Sequence, residues 1–138
     1  MKNLPLKYSP TLATSLVFLL LLGAALYLFQ GRNHPDLRIM HIEALLPEYQ
    51  THISNFTISY VLFAGIGYLW LMLGIDLRMV LALGGVVLMA NWIYELFIPV
   101  LNVPDTVDAL YGTAGTLTGL ALLLLIKRFG IRPTGKKG

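Results

Sequence analysis

Four long apolar runs limit what this chain can fold into more than any other feature of its sequence. Each approaches the roughly 20 helical residues that cross a hydrocarbon core of about 30 Å. Hydrophobic residues make up 57% of the chain and charged residues 12%, whereas a soluble domain has about 25% charged residues. The sequence therefore predicts an all-α, polytopic membrane protein with four transmembrane helices, over residues 11–30, 56–75, 79–98 and 107–126.

The first run has the basic start of a signal peptide, because Lys2 and Lys7 precede it. A signal peptide, however, has an apolar region of about 7–15 residues and then a small-residue cleavage site. This run extends from 11 to 30 and ends in LYLFQ. We interpret it as a retained anchor, within a single transmembrane domain of residues 1–138.

The polar connection 31–55 contains HPDLRIMHIEALL, which predicts a short helix that begins near Asn33–Asp36 and ends at Pro47. An amphipathic helix of this kind lies along the membrane interface instead of crossing it. Its rough apolar stripe consists of Leu37, Met40, Ile42, Leu45 and Leu46.

Basic residues are distributed unevenly between the two sides of the predicted bundle. With four spans both termini share one side, which holds Lys2, Lys7, Arg78, Lys127, Arg128, Arg132, Lys136 and Lys137. The other side holds Arg32, Arg38 and six of the seven acidic residues. Since Lys and Arg are enriched in cytoplasmic loops, we expect both termini, the 76–78 turn and the basic tail 127–138 to be cytoplasmic. The 31–55 loop then faces outward.

Several classes of function lack support in the sequence. The chain has no cysteine, which excludes disulfides, thiolate metal sites and cysteine nucleophiles. It has no basic helix with interleaved aromatic residues for nucleic acid, and no phosphate-binding loop or H-E-x-x-H motif. The spacing of His34, His41 and His52, which lie near Glu43 and Glu48, matches no metal-ligand pattern. We therefore expect no cofactor and no metal.

The stretch 91–119 places polar groups inside the most apolar half of the chain. Glu95 lies roughly 6 Å inside the end of the third run at 1.5 Å per residue. Its carboxylate either reaches headgroup water or faces a cavity, where it could exchange a proton or hold a cation. Asn91 is about 12 Å deep and needs a partner inside the bundle, as polar groups at that depth do.

Asp105 and Asp108 begin the fourth run with the spacing of a helix start. Asp105 suits the N-cap and Asp108 the third helical position, and both charges suit the positive end of the helix dipole. Ligand binding is the alternative role, so Glu95, Asp108, Asn91 and Asp105 are our ligand-binding candidates.

Three glycines follow on one helical face and predict close packing of helices. Gly115 and Gly119 are four apart, and Gly112 widens the same face. Small residues at this spacing let two backbones approach. We favour packing within the chain and leave a homo-oligomer open.

The same stretch resembles the VanZ-like family of bacterial integral membrane proteins. The resemblance is carried by the pattern E-x-x-x-P-x-x-N-x-x-D-x-x-D-A-L-x-G-x-x-G-x-x-x-G, which runs from Glu95 to Gly119. HISNFTISYVLFAGIGYLW is similar to the second span of the family, with His52 where a histidine often precedes that helix. Together they cover roughly residues 50–125. The chain differs from the family at Ile98, Asn102 and Tyr111, where the family commonly has Gln, Arg and Asn.

The resemblance implies a four-helix protein of the bacterial cell envelope, in the inner (cytoplasmic) membrane, with a link in some members to glycopeptide (teicoplanin) resistance. It implies no reaction. Our leading hypothesis is an envelope protein that binds membrane lipid or a lipid-linked, amphiphilic precursor at an outward-facing acidic site. The alternatives are a structural or assembly subunit, and an enzyme that uses Glu95 and Asp108 as acid and base in one cavity. A cation-coupled transporter would need a dimer, since four spans are few.

Overall fold

The computed structural model describes residues 6–99 and 103–135. In this part of the chain two short strands flank five helices, in the order β1 (Tyr8–Pro10), α1 (Leu12–Gln30), α2 (Met40–Leu45), α3 (Tyr49–Leu73), α4 (Leu77–Phe97), α5 (Thr106–Leu125) and β2 (Ile131–Pro133). A 3-10 turn covers Pro35–Leu37, and a π-helical turn, Ile126–Gly130, continues α5.

Four helices are long and apolar enough to cross a membrane: α1, α3, α4, and α5 with its π-helical turn. By length and composition, this confirms the prediction of a multi-pass membrane protein with four spans. The chain reverses direction between successive long helices, so α1 and α4 end where α3 and α5 begin. We call this the loop end of the bundle, and the opposite end, where the two strands pair, the strand end.

Helices α3 and α5 form the centre of the bundle. In the most apolar window of each, 44% of the residues are buried, against 6% in α1 and 17% in α4. Helix α3 contacts each of the other three long helices. Helices α1 and α4 therefore flank it and direct most of their apolar surface outward, as helices that face lipid do. The buried apolar cluster includes Tyr60, Phe63, Leu71, Val80, Leu122 and Leu123.

The glycine face of α5 lies against α3 and α4 of the same chain. A Cβ on Gly115 would overlap the Phe56 carbonyl oxygen of α3, and one on Gly112 would overlap the Asn91 side chain of α4. At Gly119 a Cβ would lie 3.1 Å from a ring carbon of Phe63. The absence of side chains at these positions therefore sets how closely α5 approaches its neighbours.

Helix α3 begins before the predicted second span. The apolar run starts at Phe56, whereas the helix starts at Tyr49. The added turns include Tyr49, Gln50 and Ile53, which are buried. Packing against neighbouring elements thus extends the helix through a polar stretch, and residues 49–55 belong to α3 and not to the loop 31–55.

The all-α prediction missed a two-stranded antiparallel sheet at the strand end. Its register pairs Ser9 with Arg132, and the backbone N–H of Thr11 donates to the Gly130 carbonyl at 2.9 Å. Strands this short leave no alternating pattern to detect. The pairing places residues 8–10 beside 131–133, so the two terminal segments lie at the same end of the bundle.

The predicted loop helix is present but shorter than the pattern suggested. Helix α2 ends before Leu46 and Pro47, and the 3-10 turn precedes it. Met40 and Leu45 are about four-fifths exposed, at 80% and 81%. Location of α2 at a membrane interface stays a prediction.

Candidate functional site

A cavity of about 630 Å³ lies at the loop end, between the last turns of α1 and α4 and over one face of α3. We call it the loop-end cavity. On α3 its lining changes from Thr51, Ser54 and Asn55 to Ile58, Ser59 and Leu62 as the helix runs inward. These residues span about 16 Å at 1.5 Å per residue. The cavity therefore has a polar outer part and a mainly apolar inner part.

Helix α4 shows the same gradient on the opposite wall. Tyr94, Glu95 and Asn91 line the outer part, and Val87 and Val86 line the inner part. Because α4 runs toward the loop end and α3 runs away from it, their polar ends meet across the cavity.

Glu95 is one of the most deeply buried side chains, with 2% of its surface exposed. It lines the loop-end cavity instead of projecting into bulk solvent. Its position matches the cavity-facing interpretation, and a role in proton exchange or cation binding stays a prediction.

Asp108 lines the same cavity from the first turn of α5. The two carboxylates that an acid–base enzyme would require therefore do converge. Asp108 is also held by His52, whose Nδ1 lies 2.7 Å from Asp108 Oδ1. An ionised carboxylate only accepts hydrogen bonds, so with Asp108 ionised it is the Nδ1–H of His52 that donates.

Asp105 is the N-cap of α5, and its Oδ1 accepts from the Val107 backbone N–H at 2.8 Å. Asp108 occupies the third helical position, as the spacing predicts. Asp105 Oδ2 lies 3.7 Å from His52 Nδ1. Asp105 is more exposed than Asp108, at 39% against 20% of the side chain, and it does not line the cavity.

His52 lies at the site but was not among the candidates predicted from the sequence. Its only signals were its position before the second apolar run and the resemblance at that position. The partners considered for it, Glu43 and Glu48, were its neighbours in sequence, whereas its partners in the fold are on α5. The ring of Tyr111 also packs against it, with ring centroids 5.3 Å apart.

Among the described residues, one group has the side chains to hold a metal ion: His52, Asp105 and Asp108. One ligand atom from each lies within 4.8 Å of the others. Two ligand atoms that share one zinc ion at 2.0–2.1 Å in tetrahedral geometry would be about 3.3 Å apart. The 2.7 Å between His52 Nδ1 and Asp108 Oδ1 is instead a hydrogen-bond distance. The group as it stands is a hydrogen-bonded cluster, and our expectation of no metal stays a prediction.

Asn91 joins α4 to α5. Its Nδ2 donates to the Ala109 carbonyl at 2.8 Å, and its side chain fills the space left by Gly112. A second bond joins the same two helices: Trp92 Nε1 on α4 donates to Thr113 Oγ1 on α5 at 2.9 Å. Asn91 also lines the loop-end cavity, so it has both a structural bond and access to a ligand.

Asn102, where the family commonly has Arg, lies outside the described residues. Ile98 ends α4 as its C-cap, and Tyr111 contacts His52. These two positions, where the family commonly has Gln and Asn, therefore take structural roles here.

An apolar groove of about 270 Å³ adjoins the cavity between α1 and α3. It shares Phe29, Ile58 and Leu62 with the cavity lining and adds Leu26, Thr57 and Val61. We call it the α1–α3 groove. It continues the apolar inner part of the cavity along the side of the bundle.

The site thus combines a buried carboxylate, a second carboxylate held by histidine, and an apolar extension. Comparison of the chain with family models, with curated proteins and with solved structures returns no match.

Proposed function

We propose that the chain is a VanZ-like membrane protein of the bacterial envelope that binds a lipid-linked or amphiphilic ligand in the loop-end cavity. One observation carries the proposal: both walls of the cavity change from polar to mainly apolar in the same direction, with Ser59 as the polar residue of the inner part. A head group at the loop end and a hydrocarbon chain in the inner part would match this gradient, because ligand pockets pair apolar walls with a few placed polar groups.

Glu95 and Asp108 are the polar groups that would hold the head group, with Asn91 beside them. An ionisable residue within a membrane span faces a cavity or a partner because exposure to lipid is costly. The burial of Glu95 at the cavity wall supports a role of this kind. Asp105 would act indirectly, by capping α5 and so positioning Asp108.

The proposed location is the inner membrane, with the loop end outward and both termini cytoplasmic. Among the described residues, the strand end carries Lys7, Arg78, Lys127, Arg128 and Arg132, while the loop end carries Arg32 and Arg38. The positive-inside rule then favours a cytoplasmic strand end. A ligand at the loop end would come from the outer leaflet, where envelope precursors are lipid-linked. The proposed link to glycopeptide (teicoplanin) resistance comes from the family resemblance alone.

The proposal is tested by native mass spectrometry of protein extracted gently from its own membrane. Wild type is compared with Glu95→Gln and Asp108→Asn, and Glu43→Gln, on exposed α2, serves as the control for charge. We expect a co-purifying amphiphile in wild type and the control, and its loss in the first two variants. If the ligand persists in all variants and Glu95→Gln or Asp108→Asn only melts earlier, these residues hold the fold and the structural-subunit hypothesis replaces ours.

An acid–base enzyme on a lipid-linked substrate is the second candidate, favoured by the convergence of Glu95 and Asp108 on one cavity. The amphiphile recovered from wild type would be returned to purified protein, and its mass followed over time. Conversion by wild type but not by Asp108→Asn supports catalysis. An unchanged mass with wild type supports binding alone.

A further inference from the structure

The loop-end cavity carries a cation as well as carboxylates. Arg32, in the turn after α1, lines its mouth, and Arg32 Nη1 donates to Ser54 Oγ of α3 at 2.8 Å. No other described side chain accepts from this guanidinium, and no described carboxylate lies within 4.0 Å of it. Of its five N–H donors, most are therefore available to a ligand.

The residues around this guanidinium are uncharged and polar. Thr51 and Asn55 line the cavity on the same face of α3 as Ser54. The Thr51 hydroxyl donates to the Glu48 carbonyl at 2.7 Å, which holds it in place, and the Asn55 amide adds further donors. An exposed guanidinium beside amide and hydroxyl groups suits a phosphate group, which accepts paired hydrogen bonds from arginine.

The carboxylates lie on other elements. Glu95 is on α4 and Asp108 is on α5, whereas Arg32 is bound to α3. A ligand that met both sets would carry a phosphate and, next to it, groups that donate hydrogen bonds, such as hydroxyls or an ammonium. A carboxylate-only site would repel the phosphate, so the guanidinium changes the class of ligand that fits.

The hydrocarbon part has a separate path. The inner lining of Ile58, Leu62, Val86 and Val87 leads into the α1–α3 groove, which adds Leu26 and Val61. This groove has almost no polar lining, and its walls are helices that span the bilayer by length and composition. A chain lying there would remain in contact with membrane hydrocarbon.

We propose that the ligand is a lipid phosphate of the surrounding leaflet, with Arg32 as its phosphate-binding residue and its hydrocarbon chain in the α1–α3 groove. The inference rests on the proposed function and specifies its ligand class. Arg32 donates hydrogen bonds to the phosphate. Glu95 and Asp108 accept hydrogen bonds from donor groups of the ligand next to the phosphate.

The test uses two probes that differ only in the phosphate, farnesyl phosphate and farnesol, titrated into the full-length protein in nanodiscs of uncharged lipid. Wild type should bind farnesyl phosphate at least about tenfold more tightly than farnesol, the equivalent of about 1.4 kcal/mol. Arg32→Gln should remove this preference while retaining farnesol binding. Inorganic phosphate should not compete, since it lacks the chain.

Arg38→Gln is the matched control. Arg38 is the other basic residue at the loop end, but its Nε donates to the Gly31 carbonyl at 3.0 Å and it does not line the cavity. Arg38→Gln removes the same charge as Arg32→Gln, and it should preserve the preference for farnesyl phosphate over farnesol. Thermal midpoints of both variants show whether the bundle is intact.

The outcomes separate the two proposals. If wild type binds both probes equally, or if Arg32→Gln retains the preference, phosphate recognition by Arg32 is wrong and amphiphile binding stands. Competition by inorganic phosphate at equal affinity would likewise overturn the lipid as the source. If wild type binds neither probe and carries no amphiphile from its own membrane, both proposals fail.

Discussion

His52 Nδ1 lies 2.7 Å from Asp108 Oδ1 and joins the first turn of α3 to the first turn of α5. The two residues are 56 positions apart in sequence. Their bond holds in place a carboxylate that lines the loop-end cavity. It thereby connects the packing of the two central helices to the candidate site.

Replacing His52 with alanine should destabilise the protein by about 1–2 kcal/mol, since hydrogen bonds to charged groups contribute about 1.5–3 kcal/mol and this pair is partly exposed to solvent, which weakens it. Thermal unfolding in detergent measures the effect, and His41→Ala, at an exposed position on α2, is the control. A double-mutant cycle with Asp108→Asn isolates the pair. Additive losses would show that the two side chains do not interact.

Gly115→Ala should lower stability by on the order of 1–3 kcal/mol, the usual cost of overpacking. The new Cβ would meet the Phe56 carbonyl, which is backbone and cannot rotate away. Gly85→Ala on α4 is the matched control, because a Cβ there has no described atom within 4 Å. Alanine at Gly85 should be neutral or stabilising by up to about 1 kcal/mol through helix propensity. Equal responses at the two positions would refute close packing of α5 on α3.

Asn91→Ala should cost about 1 kcal/mol or somewhat less, the range measured for hydrogen bonds between membrane helices. The Ala109 carbonyl retains its bond from Thr113 Oγ1, so it is not left without a donor. Thr118→Ala is the control: its hydroxyl bonds only to the Ala114 carbonyl of its own helix, and its loss should lie within about 0.5 kcal/mol. Steric trapping or detergent unfolding would measure both. A neutral Asn91→Ala would mean that the bond between α4 and α5 adds nothing.

The paired strands predict a cross-link that is easy to read, because the chain has no native cysteine. Ser9 pairs with Arg132, and paired residues that exchange hydrogen bonds have Cα atoms about 5.5 Å apart, within disulfide range. Ser9→Cys with Arg132→Cys should form an intramolecular disulfide on mild oxidation, seen as a mobility shift on non-reducing gels. Tyr8→Cys with Arg132→Cys places the thiols on opposite faces of the sheet and should cross-link poorly. Equal yields from both pairs would argue against this register.

Much of the candidate site could be predicted from the sequence, one residue at a time. Asp105 and Asp108 could be assigned to a helix start because capping depends on local spacing, and Asn91 had to bond within the bundle because its side chain is short. The cavity itself could not be predicted from the sequence. It exists because α1 and α4 both pack on α3, which leaves space between them, and no local pattern encodes that arrangement.

His52 shows the same limit from the other direction. Its spacing to its sequence neighbours Glu43 and Glu48 matched no ligand pattern, and its bond is to a residue 56 positions later. The early start of α3 explains the difference, since the extra turns from Tyr49 carry His52 up beside α5. The polar residues at these positions predicted a loop. The structure has helix there because Tyr49 and Ile53 are buried against neighbouring elements.

The sequence by itself determined the four long helices, because a chain segment in hydrocarbon must satisfy its backbone hydrogen bonds internally and an apolar run of sufficient length shows where that occurs. Only the tertiary structure decided what the helices bring together: the His52–Asp108 bond, the shared cavity of Glu95, Asp108 and Arg32, and the pairing of the terminal strands. These contacts depend on how glycine faces let α5 approach α3 and α4. That approach is a property of packed surfaces and not of any single segment.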